Sequence, residues 1–223
     1  VLAICDPEIT IGLPKSLTAA CGVDALTHCI EAYTVQLHQP ITDALALKGI
    51  SMIAENLEKA YENGEDREAR RNMMIASTIG GMAFISSNVG AVTCFCRDSS
   101  AWFDTPHGVA NSLFLPYIME FNIPACPERF ADIADAMGIE REESMSDEQY
   151  ALKAVEYVKA LNRKLNIPTI KEIKGITEER FEAIAERSAN NVLSNDNARK
   201  ITKERLLGAV KKKLTMNNED MRL

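Results

Sequence analysis

The side chains of this chain that could carry proton, metal or nucleophile chemistry include three histidines and six cysteines, and few of them stand at an informative spacing. The sharpest arrangement is Gly22-Val23-Asp24-Ala25-Leu26-Thr27-His28. An aspartate and a histidine four apart on a helix project from one face about one turn apart, so the pair can hold one divalent ion. The same spacing also makes an ordinary surface hydrogen bond, and two residues alone do not choose between the readings. The second arrangement is Asp104-Thr105-Pro106-His107-Gly108, where a turn ending in proline aims the imidazole of His107 from the start of a helix. Its plain alternative is a histidine at a helix N-terminus with no ligand.

The other candidates are weaker. His38 sits in the polar segment Gln36 to Gln39 and reads as exposed loop. Cys94 and Cys96 lie in Thr93-Cys94-Phe95-Cys96-Arg97, where a thiolate could ligate a soft ion, or where the thiols are simply buried. No CxxC pair accompanies them, so the six cysteines read as reduced thiols rather than a disulfide frame or zinc knuckle. That reading, with no signal-peptide pattern at VLAICDPEIT and no apolar run of about 18 to 20 residues, points to the cytoplasm and away from a membrane. A formal net charge of -7 argues against a nucleic-acid partner, which needs a basic surface to displace counterions from phosphate.

These residues must be positioned by helices. Apolar residues recur at threes and fours over 16–33, 42–63, 66–86, 91–101 and 107–121, and again near 127–137, 147–165, 178–190 and 203–214. Ser16, Thr177 and Thr202 suit N-caps, Gly22 can interrupt the first helix, and Pro116 should kink the fifth. Gly80 and Gly81 suit close packing against a neighbouring helix, at about 1 kcal/mol each in helix propensity. Val1 to Cys5 is the one good strand candidate, and its open edge suggests self-association into a homo-oligomer. The fold class is all-α with a short N-terminal strand at most. The organisation is one helical domain over 1–223, or two lobes, 1–122 and 123–223, meeting near Asn122 to Cys126. No GxGxxG or GxxxxGK[ST] loop follows a strand, so no phosphate cradle is present.

Taken in order, a series of segments resembles the iron-dependent (group III) alcohol dehydrogenase family, related also to glycerol dehydrogenase and dehydroquinate synthase. They are Asp6-Pro7, Leu13-Pro14, the run Thr18 to Tyr33, Asp43 to Ala46, Gly80 to Phe84, and Thr105 to Pro116. The resemblance implies a helical domain holding a divalent ion, iron or zinc, through one aspartate and three histidines. It also implies a nicotinamide cofactor, NAD or NADP, bound by a separate α/β domain, and a small alcohol or aldehyde substrate. Carried over by motif, the ligands fall on Asp24, His28 and His107. The family's remaining ligand histidine stands fourteen positions before the last, where this chain has Thr93, and its companion histidine is replaced by Arg97. A hydroxyl is a poorer ligand than imidazole, and a guanidinium repels a cation and cannot serve as a base, so weaker metal binding is expected. A thiolate of Cys96, one turn beyond Thr93, is one way to complete the set.

The resemblance also implies that the nucleotide-binding domain is absent from 1–223, so activity is expected only with a separate nucleotide-binding half. Two rival readings stand beside this one. The chain could be a catalytically silent helical remnant or oligomerisation module without metal, or a three-ligand metal site for lyase or hydrolase chemistry, with Glu31 as the nearest base or as an acceptor orienting His28.

Overall fold

The computed structural model describes residues 2–214, and among these it contains nine α-helices and no strand. They are α1 (Lys15–Thr34), α2 (Pro40–Glu62), α3 (Arg67–Ser87), α4 (Ala91–Phe103), α5 (His107–Asn122), α6 (Pro127–Ala136), α7 (Asp147–Lys164), α8 (Glu178–Ala189) and α9 (Lys203–Leu214). The all-α expectation holds, while the strand does not. Leu2 to Cys5 are exposed and without regular structure, because an isolated apolar run has no neighbour to take up its backbone hydrogen bonds. The first ordered piece is a 3-10 turn, Pro7–Thr10, capped by Asp6, whose carboxylate accepts from Glu8 N at 3.0 Å. The strand-edge argument for self-association falls with the strand. No single helix among the described residues is long and apolar enough to cross a membrane.

The central helix is α1, which packs against α2, α3 and α5 and touches α4 and α6. Leu26, Ile30 and Tyr33 recur at helical spacing on one buried face, yet Val23, Cys29 and Ala32 are buried as well. A helix enclosed on most sides shows little amphipathic periodicity, which is why its pattern understated its burial. Ser16 does not cap it: the helix starts at Lys15 after Pro14, with no side-chain cap. Nor does Gly22 interrupt it. A Cβ on Gly22 would lie 2.2 Å from Leu57 Cδ1, so the glycine lets α2 close against α1. Gly80 serves the same end for α3, where a Cβ would meet Cys29 Sγ at 2.9 Å, whereas Gly81 faces open space and makes no close approach.

One contiguous set of buried side chains runs from Ala19 to Val210, on both sides of residue 122. Phe95, Phe114 and Phe181 meet within it at ring separations of 4.7 to 5.8 Å and join α4, α5 and α8. Arg129 ties α6 to the first two helices. It lies 3.8 Å over the Tyr33 ring and donates to Tyr33 O and to Asp43 Oδ1, each at 2.7 Å. Thr177 and Thr202 cap α8 and α9 as expected, each accepting at 3.3 Å from the amide three residues on.

Candidate metal centre

Two helix segments build the site. On α1, Asp24 and His28 share a face, with 22% of each side chain exposed and His28 Nε2 3.8 Å from Asp24 Oδ1. The second segment is the start of α5, reached by a tight reversal after α4. Asp104 ends α4 in the left-handed region at φ 47, a conformation that aspartate tolerates better than most residues, and Pro106 sets the entry to α5. Gly108 then brings α5 onto the backbone of α1: a Cβ there would stand 2.6 Å from Ala20 O. That close approach carries His107 to Asp24, with Nε2 3.7 Å from Asp24 Oδ1.

The ligand atoms of Asp24, His28 and His107 all lie within 4.8 Å of one another. Separations of 3.7 and 3.8 Å are slightly wider than the roughly 3.3–3.6 Å between tetrahedral ligands of an ion held at about 2.0–2.2 Å, so the donor set fits a divalent cation in chemistry and needs a small closure in spacing. Burial depresses the basicity of His28, against the attraction of Asp24 and with the repulsion of His107. Neutral imidazole is the form that can ligate. The Phe84 ring, 4.8 Å from that of His28, covers one side of it.

The amide of Asn111, one turn after His107 on α5, also enters the cluster. Its Nδ2 donates to Asp24 Oδ1 and lies 2.9 Å from His107 Nε2. Asn111 is fully buried and its Oδ1 has no hydrogen-bond partner. Sequence reasoning stopped at His107 and missed it, although His107-Gly-Val-Ala-Asn111 repeats on α5 the four-residue spacing of Asp24 and His28 on α1.

The remaining candidates do other work. Thr93 donates its hydroxyl to Glu31 Oε2 at 2.6 Å, and Glu31 Oε1 accepts from Val92 N at 2.7 Å. Glu31 therefore caps the buried start of α4 and is neither a free base nor an acceptor for His28; burial raises its carboxyl, opposed by the hydrogen bonds it accepts. Cys96 is fully buried, outside the three-residue cluster, and held protonated well above the usual thiol range by burial and by the charges of Glu31 and Asp24. Lying outside that cluster, it does not complete the ligand set. Arg97 is exposed, and His38 is exposed with Nδ1 3.4 Å from Asp43.

The model of the Fe-containing alcohol dehydrogenase family, C-terminal, matches residues 18–214. The chain belongs to this family. Alcohol dehydrogenase 4 of Saccharomyces cerevisiae is 40% identical over 95% of the chain and 54% of its own length. The 1,3-propanediol dehydrogenase of Klebsiella pneumoniae is 40% identical over 89% and 51%. Among solved structures, an alcohol dehydrogenase from Oenococcus oeni superposes with a TM-score of 0.89 at 36% identity, covering 93% of this chain and 54% of that one. The chain thus spans about half the length of the relatives it matches, and the nine helices of its described residues correspond to the helical C-terminal domain of the Fe-containing alcohol dehydrogenases.

Proposed function

We propose that this chain is the metal-binding part of an NAD(P)-dependent oxidoreductase that interconverts small alcohols and aldehydes, with Asp24, His28 and His107 as ligands of iron or zinc. The observation that carries the reading is the meeting of three ligand atoms within 4.8 Å, from helices far apart in the chain. Relatives named for 1,3-propanediol, butanol and lactaldehyde support a small substrate. Bound there, the ion supplies Lewis-acid polarisation of the substrate oxygen. The side chains prepare the place: Asp24 contributes the negative charge, half-buried His28 keeps its lone pair, and His107, 41% exposed, stands on the open side. The nicotinamide, NAD or NADP, is held by a nucleotide-binding half other than these helices.

One observation favours a second reading, a helical module with no resident ion: Thr93 stands where the family carries a ligand histidine, and its hydroxyl is committed to Glu31. Elemental analysis of the purified chain beside Asp24→Ala and His107→Ala decides between them. A stoichiometric ion lost in both variants supports the metal site, and equal metal content in all three chains sinks it. Alcohol-dependent reduction of NAD or NADP, measured with and without a supplied nucleotide-binding half, then tests the oxidoreductase itself.

A further inference from the structure

The cluster offers three ligands, one fewer than a closed tetrahedral site requires. The side chain that fills the space between them is Asn111. Its amide nitrogen gives a hydrogen bond to Asp24 Oδ1 and faces His107 Nε2 at 2.9 Å, the two atoms that would otherwise face a cation. A hydrogen-bond donor between a carboxylate and an imidazole lone pair does electrostatically what a positive ion does, only more weakly. The amide nitrogen is therefore in the position of a stand-in for the cation.

The other end of the same carboxamide makes the arrangement unusual. Asn111 Oδ1 is buried with no partner, although leaving a buried acceptor unpaired costs about 1–3 kcal/mol. Oxygen and nitrogen of a carboxamide exchange places by a half-turn about the Cβ–Cγ bond, without moving the backbone. Such a turn breaks the hydrogen bonds of Nδ2 within the cluster and costs no bond of Oδ1, which has none, while the N–H₂ group moves into the buried place that Oδ1 leaves. It brings an oxygen donor to the ligand atoms of Asp24 and His107, and an amide oxygen is an acceptable ligand for a divalent ion.

From this geometry, and resting on the metal-site reading above, we infer that Asn111 turns its carboxamide when a divalent cation binds and supplies the fourth protein ligand. It takes over the role that the imidazole missing at Thr93 would have played. Thr93 offers only a neutral hydroxyl, held towards buried Glu31 at 2.6 Å and a poorer ligand than imidazole, and the Cys96 thiol lies outside the cluster. The exchange involves no redox change: the cation enters, two hydrogen bonds are given up, and one coordinate bond from Oδ1 replaces them.

The test uses the chain as it stands, titrated with Zn²⁺ for affinity and Co²⁺ for its coordination-sensitive visible absorption. Asn111→Ala is expected to weaken Zn²⁺ binding by roughly 100-fold and to alter the Co²⁺ bands, whereas Asn111→Asp, which keeps an oxygen at the same reach, retains the parent bands. In a Thr93→His background, where the new imidazole can give Nδ1–H to Glu31 and its other nitrogen to the ion, Asn111→Ala should cost only a few-fold, a non-additivity that marks two residues competing for one role. Unchanged Co²⁺ bands in Asn111→Ala overturn the inference while leaving the three-ligand site intact, provided Asp24→Ala abolishes binding. If Asn111→Ala does not fold, Asn111→Asp decides, and bands that differ from the parent overturn the inference. Undiminished binding in Asp24→Ala, or no stoichiometric binding in the parent, defeats the metal-site reading itself.

Discussion

Helix α1 carries two polar clusters, and they are built on opposite terms. Around Asp24 and His28 the side chains are one-fifth exposed and His107 is 41% exposed, while the buried oxygen of Asn111 has no partner. One turn beyond His28, Glu31 is enclosed with Thr93, Asn122 and Asn197, and its carboxylate binds the Val92 amide and the Thr93 hydroxyl. Asn197 completes that second cluster. Its Oδ1 accepts from Ala91 N at 3.1 Å, and its Nδ2 donates to Asn122 Oδ1 and Arg199 O, each at 2.7 Å. A fully satisfied buried network stiffens a fold, whereas one that leaves an acceptor idle beside convergent ligand atoms is poised for a guest. The difference separates polar residues that hold α4 in place from polar residues whose ligand atoms converge beside an unpartnered acceptor.

The largest expected effect breaks the open cluster and spares the closed one. With Zn²⁺ at about 100 times its dissociation constant, ligand linkage adds about 2.7 kcal/mol and so raises the melting temperature of the parent by roughly 5–10 °C. Asp24→Ala should abolish this rise, measured against the variant's own metal-free melting temperature, which falls because Asn111 loses its acceptor. Thermal melts with and without Zn²⁺ check it, and a rise retained in the variant removes the distinction between the clusters.

Glu31→Ala is the converse. It strips the start of α4 of its buried acceptor and should cost about 2–3 kcal/mol in denaturant unfolding, while the surviving folded chain still binds Zn²⁺. Next in size is Gly108→Ala, which forces α5 off the backbone of α1. Overpacking of this kind costs about 1–3 kcal/mol, and because His107 is the neighbouring residue, stability and Zn²⁺ affinity should fall together. A stable variant with parental affinity would show that the close approach at Ala20 does not position the histidine.

The smallest effect comes from Cys29, on the same helix between the two clusters. Burial pushes its thiol from the usual 9.0 up to about 12. The unfolded chain therefore gives up this proton first, so the stability the buried thiol contributes is whole below about pH 9 and is lost as the pH climbs towards about 12. Melts across that range should slope downward, and Cys29→Ala should flatten part of the slope. In the native chain at neutral pH only Cys5 and Cys21, the two exposed thiols, should react with a thiol reagent, and fast labelling of Cys29 would contradict its burial.

Much of this architecture was readable in advance where physics is local. The 3.6-residue rhythm located the helices to within a few residues, Asp104 to Pro106 read as the turn it is, and Thr177 and Thr202 acted as caps. The misreadings share one cause, an unseen neighbour. Val1 to Cys5 has the composition of a strand, but Leu2 to Cys5 find no strand to pair with. Gly22 looked like a break and is the seat of Leu57, and Glu31 looked like a base and is the cap of a helix distant in sequence.

By itself, then, the amino-acid order determined the helical repeat, the family, and the four-residue spacings that put Asp24 with His28 and His107 with Asn111 on single helix faces, because each of these depends on residues within a turn or two of one another or on an ordered series of motifs. Only the tertiary structure decided that the two faces meet, since that rests on Gly108 lying against Ala20. It likewise decided which acid is spent on a helix terminus and which is left open, because burial and hydrogen-bond supply belong to the packed chain and not to any segment of it.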